Sequence, residues 1–299
     1  MEAAMRIVMT GATAGIGLVA ARRLLKDGAR LAVGARRPDR APEDLKGKVD
    51  LKPLDLADLD QVRAFAGRFA DDGPIDVLLL NAGLQNVSGG RSRQGYELTF
   101  AANHLAHQLL IRLLLPKMAP NGRIILTASG THDPAEKTGM PPPRHADANR
   151  LAHPETDTER DASPGVAGRR AYSTSKLCNV MTARELARRL AATRPDVMVA
   201  SFDPGFTPGT GLARDYPFPL SLVFRFIFPL LFHGERVSTP ANSGRLLAEL
   251  ATDPRWAGAR GDYVSVRGKG LKIVPASALA RDDDACERLW VDSEALAPL

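Results

Sequence analysis

Short, wholly apolar runs alternate with amphipathic segments along the N-terminal half of the chain, and this alternation constrains the fold more than any other feature. Arg6–Met9, Arg30–Gly34, Asp50–Leu54, Val77–Leu80 and Arg123–Thr127 read as strands. Gly15–Lys26, Asp58–Ala70 and Tyr96–Leu115 carry apolar residues at helical spacing. Strands that are apolar along their whole length need cover on both faces, so the expected sheet is parallel, with right-handed helical crossovers. At 299 residues and 44% apolar content the chain can bury such a core as one α/β domain.

Two stretches break the rhythm. Residues 130–170 carry Pro141-Pro142-Pro143 and many Asp, His and Arg residues, while 204–236 is rich in Pro and Phe. Long aperiodic stretches inside a compact domain usually serve binding, so the first is expected to be an inserted loop and the second a substrate lid. The charge of +6 does not point to nucleic acid: Arg184, Arg188 and Arg189 read as a solvated helix face, and no basic stretch interleaves aromatics. Neither Cys178 and Cys286 nor His132, His145 and His153 have metal-ligand spacing, so no metal is expected. Two cysteines in a chain this long suit a reducing, cytoplasmic setting, and the N-terminus shows no signal-peptide pattern before Ile7. The most apolar segment, Pro217–Phe232, is short and holds Arg225 and three prolines, which argues against a membrane span.

Thr10-Gly11-Ala12-Thr13-Ala14-Gly15-Ile16-Gly17 follows the first strand and opens the first helix. Gly11 permits the sharp turn, Gly15 admits a pyrophosphate close to the backbone, and Gly17 lets helix and strand pack closely, with free helix N–H groups facing the anion. Strand, glycine turn and helix together predict a Rossmann-type doubly wound sheet that binds a dinucleotide. The second strand ends in Gly34-Ala35-Arg36-Arg37, where an NAD-binding fold would place an acid against the ribose. A guanidinium offers paired donors to a 2′-phosphate instead, so the expected cofactor is NADPH/NADP+, with Asp39 as the residue that would favour NADH.

The T-G-x-x-x-G-x-G spacing resembles the short-chain dehydrogenase/reductase family, and the following motifs appear in that family's order. The resemblance implies that Asp55-Leu56 caps the adenine and that Asn81-Ala82-Gly83 shapes the cofactor cleft. Tyr172 and Lys176 lie one helical turn apart in Ala171-Tyr172-Ser173-Thr174-Ser175-Lys176, on one face of a helix expected to start there and run to Leu190. An ammonium beside a phenol favours its ionised form, so Tyr172 is expected to titrate low and to serve as general acid or base. The resemblance further implies that Ser129, at the end of the fifth strand, holds the substrate oxygen, and that Asn103 holds a water linking Lys176 to solvent. Tyr172 and Lys176 would also contact the cofactor. Asp203-Pro204-Gly205 resembles the turn preceding the nicotinamide contact. Here Gly209 replaces the usual threonine, leaving Thr207 or Thr210 to hold the carboxamide.

The expected activity is hydride transfer between nicotinamide and a carbonyl/alcohol pair of a small-molecule substrate. Phe218, Phe224, Phe226 and Phe228 suggest that this substrate is bulky and largely apolar. Tyr172–Asn179, Thr210–Arg214 and the 43 positions between Ser129 and Tyr172 resemble the retinol dehydrogenase and light-dependent protochlorophyllide reductase branches. Two alternatives are a protochlorophyllide-reductase-like reduction of a carbon–carbon double bond and a non-catalytic NADPH-binding protein. Family members often pair through the helices expected to carry Asn103 and Tyr172, so the resemblance also implies a homodimer.

Overall fold

The structure is a computed structural model that describes residues 4–69, 73–208 and 235–299. Among them β1 (Arg6–Thr10), β2 (Arg30–Ala35), β3 (Asp50–Pro53), β4 (Ile75–Leu80), β5 (Met118–Thr127), β6 (Met198–Asp203), β7 (Arg260–Arg267) and β8 (Gly270–Ile273) form one sheet. Its order is β3-β2-β1-β4-β5-β6-β7-β8. All neighbours run parallel except β8, which returns antiparallel on β7 and was not foreseen from the sequence. The order reverses between β1 and β4, and the crevice at the carboxyl ends there is where doubly wound sheets take ligands.

Strand side chains alternate strictly between two cores, as the two-residue repeat of a pleated strand requires. Val8, Leu78, Leu80, Ile124 and Leu126 point to one side. There they meet α2 (Leu59–Gly67), α4 (Ala106–Leu114) and α6 (Pro164–Leu190) through Phe65, Leu109 and Leu186. Ile7, Met9, Val77, Leu79 and Ile125 point to the other side, against Leu24 of α1 (Gly15–Lys26) and Leu246 and Leu250 of α7 (Pro240–Thr252). The helix expected over Tyr96–Leu115 is a short α3 (Leu98–Phe100), a π turn (Ala101–Leu105) and α4 in series. The π turn contains Asn103, and such turns often mark functional positions.

Residues 130–170 are not a structureless loop. They form 3-10 turns at Gly130–His132, Pro134–Glu136 and Pro154–Thr156 and the one-turn helix α5 (Ala148–Ala152). Their charged residues pair with one another: Arg150 binds Asp157 and Glu159, while Asp161 receives both Arg144 and Arg170. The catalytic helix also begins earlier than expected. Proline occupies the first turn at Pro164, a position that needs no N–H, and the polar Pro164–Arg170 stretch hides the helical period. Gly168 is required there, because a Cβ would lie 2.1 Å from the Asn86 carbonyl.

The C-terminal helix α8 (Asp283–Leu296) lies over the outer faces of α4 and α6. His104 meets Ser293 at 2.8 Å, Arg112 pairs with Glu294 at 3.2 Å, and Tyr96 donates to the Leu296 carbonyl at 2.9 Å. The helices through which the resemblance would pair two copies are therefore covered within the chain. No described helix is long and apolar enough to cross a membrane. Thr210, Gly209 and the apolar run with Phe218, Phe224, Phe226 and Phe228 lie outside the described residues, as does Ala70, the expected end of α2.

Candidate active site

The turn between β1 and α1 sits against the turn after β4. Gly11 has φ +69° and no room for a side chain, since a Cβ would lie 2.7 Å from the Ala82 backbone. At Gly17 a Cβ would fall 2.0 Å from the Gly11 carbonyl oxygen. Asn81 locks the contact by donating to that oxygen at 3.0 Å while accepting from Thr127 at 3.2 Å. Thr10 accepts from the Ala82 N–H at 3.1 Å.

α1 opens without a side-chain cap at Ala14 and without an acid in its first turn, and Ala14 and Gly15 are exposed. Free N–H groups at an open helix terminus, with Gly15 at φ +55°, form a cradle that fits a pyrophosphate. Thr13 and Ile16 flank it, half-buried. Arg36 and Arg37 follow β2, exposed and without ion pairs among the described residues. Asp55 engages Gln61 and Ala57 through its backbone N–H and one carboxylate oxygen, and Leu56 packs on the core beneath it. Together these groups fit a dinucleotide lying across the carboxyl ends of β1, β2 and β4.

Ser129, Tyr172 and Lys176 meet beside this cleft. Ser129 lies two residues past β5 as the cap of the Gly130–His132 turn, with its hydroxyl on the side of the Tyr172 phenol, where it favours the ionised form. The Lys176 ammonium is buried, donates to the Thr127 carbonyl at 3.0 Å and lies 5.5 Å from the centre of the Tyr172 ring. Burial pulls it down to about 8. The expected lowering of Tyr172 is not found. Burial and the negative charge of Asp203 push the phenol up, and only the Ser129 hydrogen bond opposes them. The lysine charge sits over the ring and is anchored to a backbone carbonyl.

Asn103 is buried and joins the constellation by direct hydrogen bonds. Its amide accepts from Leu84 N–H at 2.8 Å and donates to the Leu84 carbonyl at 2.8 Å and to Ser175 at 3.0 Å. It thereby pins the segment after Ala82-Gly83 to α6. Gly83 is tight because a Cβ there would lie 3.3 Å from the Lys176 nitrogen. Gly205 takes φ +70° where the chain passes the Arg236 carbonyl, and Thr207 donates to the Pro204 carbonyl at 3.1 Å. Phe206 and Val237 pair as an isolated bridge, so the two ends of the 204–236 excursion meet.

His107 had no place in the sequence reading, although it lies one turn after Asn103 on the same helix face. The Asn103 carbonyl can only accept, so Nδ1–H of His107 donates to it at 3.1 Å, and in the neutral ring Nε2 accepts from the Thr10 hydroxyl at 3.1 Å. One neutral imidazole thus joins the glycine turn to the π turn. Burial holds His107 and His104 down to about 3. Their folded values lie below the unfolded value of about 6.5, so their contribution is complete above that pH and is lost as pH falls toward 3. Each ring adds a slope of about 1.4 kcal/mol per pH unit in that window. Thermal unfolding midpoints are expected to drop steeply from pH 6.5 to 5, and the drop should shrink in His107→Gln. An unchanged slope in that variant would mean that His107 is protonated in the folded chain.

Comparison with known proteins agrees with this geometry. The short chain dehydrogenase family profile matches residues 5–138. The chain is 32% identical to protochlorophyllide reductase A of Oryza sativa subsp. japonica over 98% of its length and 80% of that protein's. It is 30% identical to retinol dehydrogenase 14 of Mus musculus, covering 97% of the chain and 85% of the relative. An uncharacterized protein from Mycobacterium paratuberculosis superposes with a TM-score of 0.70 at 27% identity, over 98% and 93% of the two chains. A short chain dehydrogenase from Burkholderia cenocepacia, solved with NADP, shares the fold at a TM-score of 0.64 and 21% identity, over 89% and 97%. On this similarity over nearly its whole length, the chain belongs to the short-chain dehydrogenase/reductase family of oxidoreductases.

Proposed function

We propose that this protein uses NADPH to reduce the carbonyl of a bulky, largely apolar molecule, with the reverse alcohol oxidation at the same centre. The observation that carries the reading is the buried Lys176 ammonium, anchored on Thr127 and 5.5 Å from the Tyr172 ring, with Ser129 beside them at the glycine-lined cleft. When bound, the dinucleotide supplies the hydride. Tyr172 holds its proton firmly and delivers it to the substrate oxygen, while the Ser129 hydroxyl steadies charge developing on that oxygen. Lys176, fixed through Thr127, places a positive charge against the phenol ring and would be the group to hold a ribose hydroxyl of the bound dinucleotide. Asn103 keeps the floor of this arrangement rigid. Thr207, with its hydroxyl turned to the Pro204 carbonyl, and Thr210 remain the residues proposed to meet the carboxamide.

Two features support the substrate class. The sequence between Thr207 and Arg236 carries phenylalanines at 218, 224, 226 and 228, and the chain's relatives include proteins named for retinol and for protochlorophyllide. Carbon–carbon double-bond reduction is the weaker reading. Cys178, the cysteine nearest Tyr172 in sequence, is fully buried and its thiol is pushed up by burial, so it offers substrate no proton. A panel of aromatic and long-chain aldehydes and ketones, with retinal and protochlorophyllide included, tests the proposal by loss of reduced-nicotinamide absorbance. Turnover of apolar carbonyls is expected. Turnover of protochlorophyllide alone would move the assignment to the double-bond reading, and no turnover with intact NADPH binding would favour a binding protein.

A further inference from the structure

Asp203 closes β6 with its side chain 2% exposed, directly behind the catalytic serine. One carboxylate oxygen accepts from the Gly130 N–H at 3.2 Å and from the Gly205 N–H at 3.0 Å. The other accepts from the Ser265 hydroxyl at 2.7 Å and lies 4.0 Å from an Arg267 nitrogen. A single acid thus ties the residue after Ser129 to the Pro204-Gly205 turn. Arg267 continues outward to Glu136, at 3.2 Å, and Glu136 pairs with Arg236 at the foot of the 209–234 segment, at 2.5 Å. This chain of alternating charge links the Pro204-Gly205 turn to Glu136 and Arg236.

We propose that Asp203 is a positioning residue for this reaction, holding the serine turn against the Pro204-Gly205 turn with its carboxylate buried directly behind that turn. The inference rests on the reading of Tyr172 as proton donor. Tyr172 is faced by Lys176 from its own helix, by Ser129 from the end of β5 and by Asp203 from β6. His132 stands beyond Ser129, donating from Nδ1 to the Ser129 carbonyl at 2.8 Å while Nε2 accepts from the Ser277 N–H, so it is neutral. Burial lowers it further below the ordinary histidine value. Asp203 is therefore the negative group acting on the phenol, and its charge adds to burial in raising Tyr172. A phenol so held carries its proton at working pH, the form that reduction needs.

Asp203→Asn tests the charge while keeping the acceptor that Gly130 and Gly205 use. In alcohol oxidation kcat/KM rises with pH as Tyr172 gives up its proton, and in the Asn variant this limb is expected half to one unit lower. At a pH on the rising limb that is about a threefold to tenfold gain in kcat/KM. Arg267→Gln, which removes the cation facing Asp203, is expected to move the limb the opposite way. NADPH binding, read by fluorescence titration, should stay unchanged in both variants. A limb that stays put in both, while Tyr172→Phe is inactive, overturns the role of Asp203 and leaves the function standing. A Tyr172→Phe enzyme that retains turnover and the same limb overturns the proton-donor reading, and the inference with it. Should Asp203→Asn not fold, the direction of shift in Arg267→Gln decides alone: upward supports the proposal, and no shift or a downward one overturns it.

Discussion

Tyr172→Phe is expected to lower kcat for carbonyl reduction roughly a hundredfold to ten-thousandfold, the range that loss of a positioned general acid produces. The substitution keeps the buried ring and its contact with Lys176 and removes only the hydroxyl that meets Ser129. Stability should fall by about 1 kcal/mol, the net worth of one hydrogen bond, so the folded fraction barely changes. NADPH affinity should hold, because the cradle at Ala14 and Gly15 and the arginines after β2 do not touch the phenol. Rapid-quench turnover with an apolar aldehyde, alongside fluorescence titration with NADPH, separates the two effects. A loss of affinity that matches the loss in kcat would show that Tyr172 serves the cofactor and not the proton. Ser129→Ala should have a similar direction and smaller size, since the tyrosine keeps its proton and the substrate oxygen loses one of its two donors.

What could be read from the residues alone was the part of the molecule specified locally. The glycine turn carries its own demand for positive φ and close approach at Gly11, and Ile7–Met9, Val77–Leu80 and Ile124–Leu126 are unbroken apolar runs. Those features need no partner to be recognised. β7 escaped notice because Arg260–Arg267 mixes charge with apolar residues and sits at the margin, where β8 covers its far edge. The first turns of α6 escaped because proline, glycine and arginine there serve the passage of Asn86 and the clamp on Asp161 and not a core face. His107 and Asp203 depend on partners far off in the chain. His107 works through Thr10, 97 positions away, and Asp203 through Gly130 and Ser265, 73 and 62 away. A single sequence shows a histidine and an acid at those places and nothing of what they touch. The direction of the Tyr172 shift failed for the same reason: proximity to Lys176 along a helix is local, whereas the burial that chiefly raises the phenol, and the charge of Asp203 that adds to it, come from distant parts of the chain.

Arg36→Ala/Arg37→Ala is expected to weaken NADPH binding by about tenfold to a hundredfold and to leave NADH binding nearly unchanged. The two guanidiniums stand just past the end of β2, exposed and without ion pairs among the described residues, where a doubly wound sheet of this order would place a ribose. A charge-assisted hydrogen bond to phosphate is worth about 1.5–3 kcal/mol. Solvent and salt screen an exposed pair, so the lower part of that range applies to each arginine. The same screening supplies an internal check: the preference of the unaltered protein for NADPH over NADH should decline as salt rises, and the decline should vanish in the double variant. Asp39 gives the opposing test. It lies in the 3-10 turn Pro38–Arg40, exposed, and is the acid nearest the expected ribose site. If it accepts from the ribose hydroxyls, Asp39→Asn weakens NADH and not NADPH, and the unaltered protein binds the two alike. Equal affinities in the unaltered protein would transfer the cofactor assignment to NADH while leaving Ser129, Tyr172 and Lys176 in their roles, because those groups act on the nicotinamide end of the cleft and read nothing of the 2′ position.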